Sequence, residues 1–330
     1  MDRPHARDVR ERETADAGFS RGWGEHFQPC ERYWIDCHTH MREETSDAIG
    51  AVIEPWHERL EAWRLRRHLA MDGNPEHADD FGAVAQADDR FRWLVWMDHD
   101  EPDLANLETC LSAGASGLKL HNAPVIRSGT DPTVWHRDGW HDVFERMAAA
   151  DKPVLWHVTQ RLTDSPYTGG GRHSYWSDGW EAGVEYTNED LLQSFLAVVD
   201  EHPNTDFIGA HQLHLGFDRL HALLRNHPNL HFDTSIGWFV RWGDRLHPED
   251  RDRARSFAME WSDRILFGTD CVLGSELMGE YVYQQFLGHV RYLRQLQLSH
   301  EPLQAISHRN AERLFGFDSM DVPRKGALRP

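Results

Sequence analysis

No run in this 330-residue chain approaches the roughly 20 consecutive apolar residues that a bilayer-spanning helix needs. The opening residues, MDRPHARDVRERETADAGFSRG, hold no apolar stretch of the export type. Together these absences argue against a membrane partner and for a cytoplasmic protein, with residues 1–28 as a charged N-terminal extension ahead of one folded unit, 29–330. Cysteine is scarce: Cys30, Cys37, Cys110 and Cys271 are the only four, and their spacing matches neither a metal knuckle nor a redox pair, which favours a reducing compartment. Positive charge is short as well. Lys plus Arg number 35 against 54 Asp plus Glu, for a formal charge of −19, and a surface of that sign repels phosphate backbones, so nucleic acid is excluded as a partner. The acidic excess is spread along the chain as a solvated surface rather than gathered into a tail. There is no linker, internal repeat or low-complexity tract, so a single domain is expected. A small-molecule substrate is the partner left, with homo-oligomer formation open.

What the chain does have, from Tyr33 onward, is a regular alternation of short apolar runs and longer amphipathic segments. The predicted strands are YWIDC, RHLAM, FRWLVWM, GLKL, KPVLWH, DFIGAH, LHFDTS and RILFGTD. Several are apolar at nearly every position, as strands covered on both faces are. Between them lie predicted helices such as GWHDVFERMAAAD and NEDLLQSFLAVVDEH. In the latter, Leu191, Leu192, Phe195, Leu196 and Val199 share one helical stripe, and Thr187 with Asp190 forms an N-terminal cap. Eight such units specify a (β/α)8 TIM barrel, with a six-stranded open sheet as the alternative. The irregular segment RLTDSPYTGGGRHSYWSDGWEAGVEY, after the fifth strand, is too long for an ordinary connection and reads as a lid, its TGGGRH as a hinge.

The run RYWIDCHTH stops on two histidines at alternate positions, His38 and His40. In an extended chain, residues two apart point the same way, so both rings face one spot. With 23 histidines in the chain, one H-x-H carries little weight alone. The other strand ends decide, because a parallel barrel keeps its active site there. The fourth strand carries Lys119 and His121, the fifth ends in His157, the sixth in His211, with His214 competing for its role, and the eighth in Asp270. Imidazoles with one carboxylate make a mixed nitrogen and oxygen donor set. It suits one or two divalent transition metals (Zn, Mn or Fe) and fits poorly with Mg or Ca. His121 reads as a further ligand, a supporting donor or a substrate contact. Trp176, Trp180, Trp238 and Trp242 in the rim loops favour a bulky apolar or aromatic substrate, and Arg161, Arg172 and Arg241 are placed to clamp a carboxylate or phosphate.

As an ordered set, DCHTH, GASGLKLH, PVLWH, IGAH, ILFGTD and the closing NAERLFGF resemble the amidohydrolase superfamily, in its amidohydrolase-2 branch, from about Tyr33 to Phe317. The resemblance implies a barrel with His38, His40 and Asp270 at one metal and His157 completing a mononuclear site, where His211 acts as acid, base or carbonyl polariser. In dinuclear relatives His157 and His211 hold a second metal and a carboxylated strand-4 lysine bridges the pair. Lys119 stands where that bridge would arise, and equally where it would pair with a substrate carboxylate or form a salt bridge. The implied activity is hydrolysis of a C–N, ester or lactone bond through a metal-activated water, with Asp270 relaying the proton. Non-oxidative decarboxylation or hydration on a mononuclear site is the alternative, as is oxygenation on two irons built on the same fold.

Overall fold

Aliphatic and β-branched runs too short for a helix, each followed by an amphipathic segment, can bury both faces only by lying side by side with helices laid over them. The computed structural model of the chain describes residues 31–100, 102–160, 167, 169–170, 182–235, 248–276 and 279–319. The predicted extension 1–28 and most of the long loop after the fifth strand lie outside them. All eight expected strands are present: β1 (Trp34–Met41), β2 (Leu65–Gly73), β3 (Phe91–Trp96), β4 (Leu118–His121), β5 (Val154–His157), β6 (Phe207–Gly209), β7 (Leu230–Asp233) and β8 (Ile265–Leu266). A ninth, β9 (Cys271–Leu273), follows at once. Every pairing is parallel, in the order β8-β7-β6-β5-β4-β3-β2-β1-β9.

β8 pairs with β7 and β9 pairs with β1, so the eighth strand is in effect divided in two. The residues between them close the ring: Cys37 N–H donates to Phe267 O at 2.9 Å and Asp270 N–H to His38 O at 2.7 Å. This is the expected α/β barrel rather than an open sheet. Asp270 has φ +59° at the division, which turns its side chain away from a simple strand path.

Helices α1 (Ser46–Leu60), α2 (Ala78–Ala87), α3 (Leu104–Ser112), α4 (Ala123–Ser128), α5 (Asp138–Ala149), α6 (Asn188–Glu201), α7 (Phe217–Asn226), α8 (Pro248–Glu260), α9 (Glu280–Gln295), α10 (His300–Gln304) and α11 (Asn310–Phe315) cover the sheet. In α6 the expected capping box is formed, Thr187 and Asp190 each accepting from the other's backbone, and the five-residue stripe is buried. One expectation fails. The segment EPWHERLEAWRLR reads as a helix starting at Glu54, just before Pro55, but the helix begins at Ser46 because Ile49, Val52 and Ile53 bury against the sheet and outweigh the start signal that proline offers. The short α4 is not among the predicted helices, being too brief to show a helical period. No helix among the described residues is long and apolar enough to cross a membrane.

Beneath α1, His57 Nε2 meets His68 Nδ1 of β2 at 2.8 Å in a buried pair. Burial pushes the pKa of His57 down to about 4 and that of His68 well below the histidine range. Both rings are thus neutral when folded, whereas an unfolded chain protonates them below about pH 6.5. The unfolded state then binds more protons, so stability should be full above that pH and fall as pH drops toward 4. Thermal melts at pH 7.0, 6.0 and 5.0 should show the wild type losing more Tm on acidification than the His57→Gln/His68→Asn variant. Equal losses would remove the pair from the acid response.

Candidate metal centre

Within the barrel, side chains alternate between an inner stack and the layer under the helices. Ile35, Cys37, Leu69, Met71, Leu155 and Ile208 pack into the inner stack, closed below by Leu314 and Phe315 of α11. On β4, β5 and β7 the same alternation puts Lys119, His121, His157 and Asp233 inside. β1 is different. Continued from Ile35 and Cys37, the alternation would turn His38 outward, but the β1–β2 pairing shifts register between Asp36 and Thr39. The shift rephases the strand so that both histidines face in.

There His38 Nε2 lies 3.3 Å from Asp270 Oδ1, and His40 Nε2 lies 3.1 Å from the same oxygen. Behind them, His38 Nδ1 is 2.7 Å from Asp233 Oδ2, and His40 Nδ1 is 2.9 Å from Asp72 Oδ1. A carboxylate on Nδ1 fixes each ring so that Nε2 is the nitrogen aimed at the centre, the arrangement metal-bound histidines ordinarily have, and an ion there would take the place of any proton on Nε2. Burial by itself would lower the pKa of His40, but the Asp72 charge, with hydrogen bonds donated by the ring to Asp270 and Asp72, overrides it and raises the value to about 9. For Asp270, burial is outweighed by the His40 hydrogen bond and the neighbouring imidazoles, which hold its carboxyl well below the usual range.

Alongside, His211 Nε2 lies 3.2 Å from His157 Nδ1, and the His211 and His214 rings stack with centroids 5.1 Å apart. One ligand atom from each of His157, His211 and His214 falls within 4.8 Å of the others, as do those of His38, His40 and Asp270. His211 and His214 converge through an unusual backbone. His211, Gln212, Leu213 and His214 have φ of 58°, 49°, 53° and 55°, left-handed values that cost L-residues roughly 1–2 kcal/mol each. The turn is held by Asp233 Oδ1 accepting from the His211 N–H at 2.9 Å, by the Gln212 carboxamide donating to Asp233 O, and by Thr159 Oγ1 donating to Leu213 O at 2.6 Å. His211 was expected at a strand end. The structure puts it in this turn, two residues past Gly209, the end of β6. Burial lowers its pKa to about 4, so the ring is neutral at neutral pH.

Lys119 is buried, its Nζ 3.4 Å from Leu120 O and 5.9 Å from the Trp96 ring centre. Burial pushes its pKa down to about 8 against the pull of Asp270, Asp233 and Asp72. His121 stacks on His157 at 4.0 Å, and its Nδ1 accepts the Ala123 N–H at 2.8 Å. Arg172, Trp238 and Arg241, with Arg161, Trp176, Trp180 and Trp242, lie outside the described residues.

Among the histidines of this centre, His38 Nε2 and His157 Nε2 are buried without a hydrogen-bond partner. An unsatisfied buried imidazole nitrogen is costly, and coordination to a cation would remove that cost, so the residues present fit a transition metal. Sequence reasoning missed Asp72, Asp233 and Ser235. Ser235 Oγ donates to Asp233 Oδ1 at 2.5 Å and lies 2.9 Å from His211 Nδ1, tying the two histidine groups together. The missed signal was the rule already used for the histidines, since Asp72 and Asp233 also stand at the ends of inner strands.

A family model described as Amidohydrolase matches residues 35–317. No match was found among curated proteins. Among solved structures, the chain is similar to a probable 2-pyrone-4,6-dicarboxylic acid hydrolase from Acinetobacter baumannii (TM-score 0.57, 13% identity, 87% of this chain and 100% of that one). It is also similar to 5-carboxyvanillate decarboxylase from Sphingomonas paucimobilis (0.55, 14%, 87% and 99%) and to dihydroorotase from Campylobacter jejuni (0.53, 14%, 87% and 84%). At these identities the likeness is one of fold.

Proposed function

Since the chain belongs to the amidohydrolase family, we propose that it is a metal-dependent hydrolase opening a C–N, ester or lactone bond of a small organic molecule. The observation that carries this reading is the carboxylate-backed pair His38 and His40 converging on Asp270. These three would hold one divalent cation. His157 and His211, with His214, would hold a second. Such an ion, when bound, supplies Lewis-acid polarisation of a carbonyl and brings the pKa of water down toward about 7. Asp270, kept ionised by its imidazole neighbours, receives a proton at its carboxylate and returns it to the leaving group. His211 is neutral and anchored by Ser235, so in the mononuclear form it offers an oriented imidazole to a developing oxyanion.

Lys119, with a pKa of about 8, has an uncharged fraction at neutral pH that can take up carbon dioxide as a carbamate. A carbamate would bridge two cations, whereas the ammonium would instead pair with a substrate carboxylate. For substrate contact we assign His121 and, beyond the described residues, Arg172, Trp238 and Arg241. The decisive experiment is elemental analysis of protein purified without added metal, coupled to product analysis on a panel of lactones, cyclic amides and aromatic carboxylic acids. Zinc or manganese with ring-opened products supports hydrolysis. Carbon dioxide release with one metal per chain would replace it by decarboxylation, and two irons with oxygen uptake by oxygenation.

A further inference from the structure

Outside the barrel a separate group of donors spans two neighbouring helices. His141 and Glu145 are four residues apart on α5 and so share one face. His202 follows the last turn of α6, where the chain leads back toward β6. That end of α6 lies at the N-terminal ends of the strands, whereas the centre described above lies at their C-terminal ends. His202 Nδ1 is 3.1 Å from Glu145 Oε1, and the His141 and His202 ring centroids are 4.7 Å apart. One ligand atom from each of the three falls within 4.8 Å of the others.

We propose that His141, Glu145 and His202 form a peripheral site for a divalent transition cation of the Zn2+ class, clipping α5 to α6. Two imidazoles and a carboxylate from three side chains are the donor number and type at which zinc keeps a fourth position for water. His202 is buried and held against the Phe144 ring, 5.1 Å between centroids, so its orientation is set before any ion arrives. His141 and Glu145 are exposed, so the ion can enter from solvent without opening the fold. The pairing of one buried, oriented ligand with two accessible ones distinguishes this group from the exposed ion pairs elsewhere on the surface, such as Arg253–Asp218.

The test uses the full chain with its central metal content first determined, titrated with Zn2+ alone and followed by equilibrium dialysis and thermal melting. Wild type should take up one Zn2+ more than His141→Ala, and should gain about 2 °C or more in Tm that His141→Ala does not gain. Turnover of the two proteins should be equal, because His141 is not part of the central site. Glu145→Gln should behave like His141→Ala, and His38→Ala should lose central metal while keeping the extra equivalent. Identical Zn2+ uptake and identical Tm gain in wild type, His141→Ala and Glu145→Gln would overturn the proposal. Loss of the extra equivalent in His38→Ala alone would assign it to the central site instead, and would equally overturn it. The reading of the central site is judged separately, by the central metal of His38→Ala.

Discussion

Asp270→Asn should lower turnover by about 10²–10⁴-fold, the span expected when a positioned proton-transfer group is removed, and should strip much of the bound metal without unfolding the barrel. The expectation rests on one oxygen. Asp270 Oδ1 lies 3.1 Å from His40 Nε2 and 3.3 Å from His38 Nε2, so a single atom of this side chain faces both imidazoles. An amide keeps the shape but loses the anionic charge and the proton-accepting capacity. The backbone contribution of residue 270 to barrel closure, its N–H to His38 O, survives the substitution, which is why folding should be spared. His38→Ala removes a ligand outright and should have at least as large an effect on metal content. Metal per chain, far-UV circular dichroism and steady-state turnover measured on the same samples check this. Full turnover by either variant would sink the assignment of the centre.

Arg294→Met should destabilise the protein by about 3–5 kcal/mol, the cost typical of stranding one charge of a buried ion pair. Arg294 of α9 reaches Glu31 ahead of β1 through two hydrogen bonds of 2.8 Å, and both side chains are essentially inaccessible. Glu31 also accepts from Trp34 Nε1 at 3.0 Å, so its carboxylate is fixed in place and cannot swing out to water when its partner is removed. The double variant Glu31→Gln/Arg294→Met should recover most of the loss, because it removes the stranded charge together with the pair. Urea unfolding of the three proteins gives the comparison. A double variant as unstable as Arg294→Met would show that lost packing, not the stranded carboxylate, dominates.

Much of the candidate centre was legible because barrel chemistry gathers at strand ends, and strand ends can be read from where an apolar run stops. His38, His40, Lys119, His121, His157 and Asp270 were found in this way, and the structure brings them together. The supporting carboxylates were passed over since a single aspartate at a strand end, as at Asp72 or Asp233, looks like any strand-end residue until its partner's position is known. His214 was weighed only as a rival to His211. That both rings converge depends on four left-handed residues in succession, a conformation without a sequence signature when none of the four is glycine.

The chain by itself determined the order of the eight strand segments, most of the covering helices and the donor types at the rim, because hydrophobic period and strand-end chemistry are local properties written residue by residue. Tertiary structure alone decided three things: the register shift that turns His38 inward, the division of the last strand at Asp270, and the strained turn that sets His211 beside His157. Each is a compromise between distant segments, in which contacts made elsewhere outweigh a local backbone preference of a few kcal/mol, and no window of sequence contains both sides of that balance.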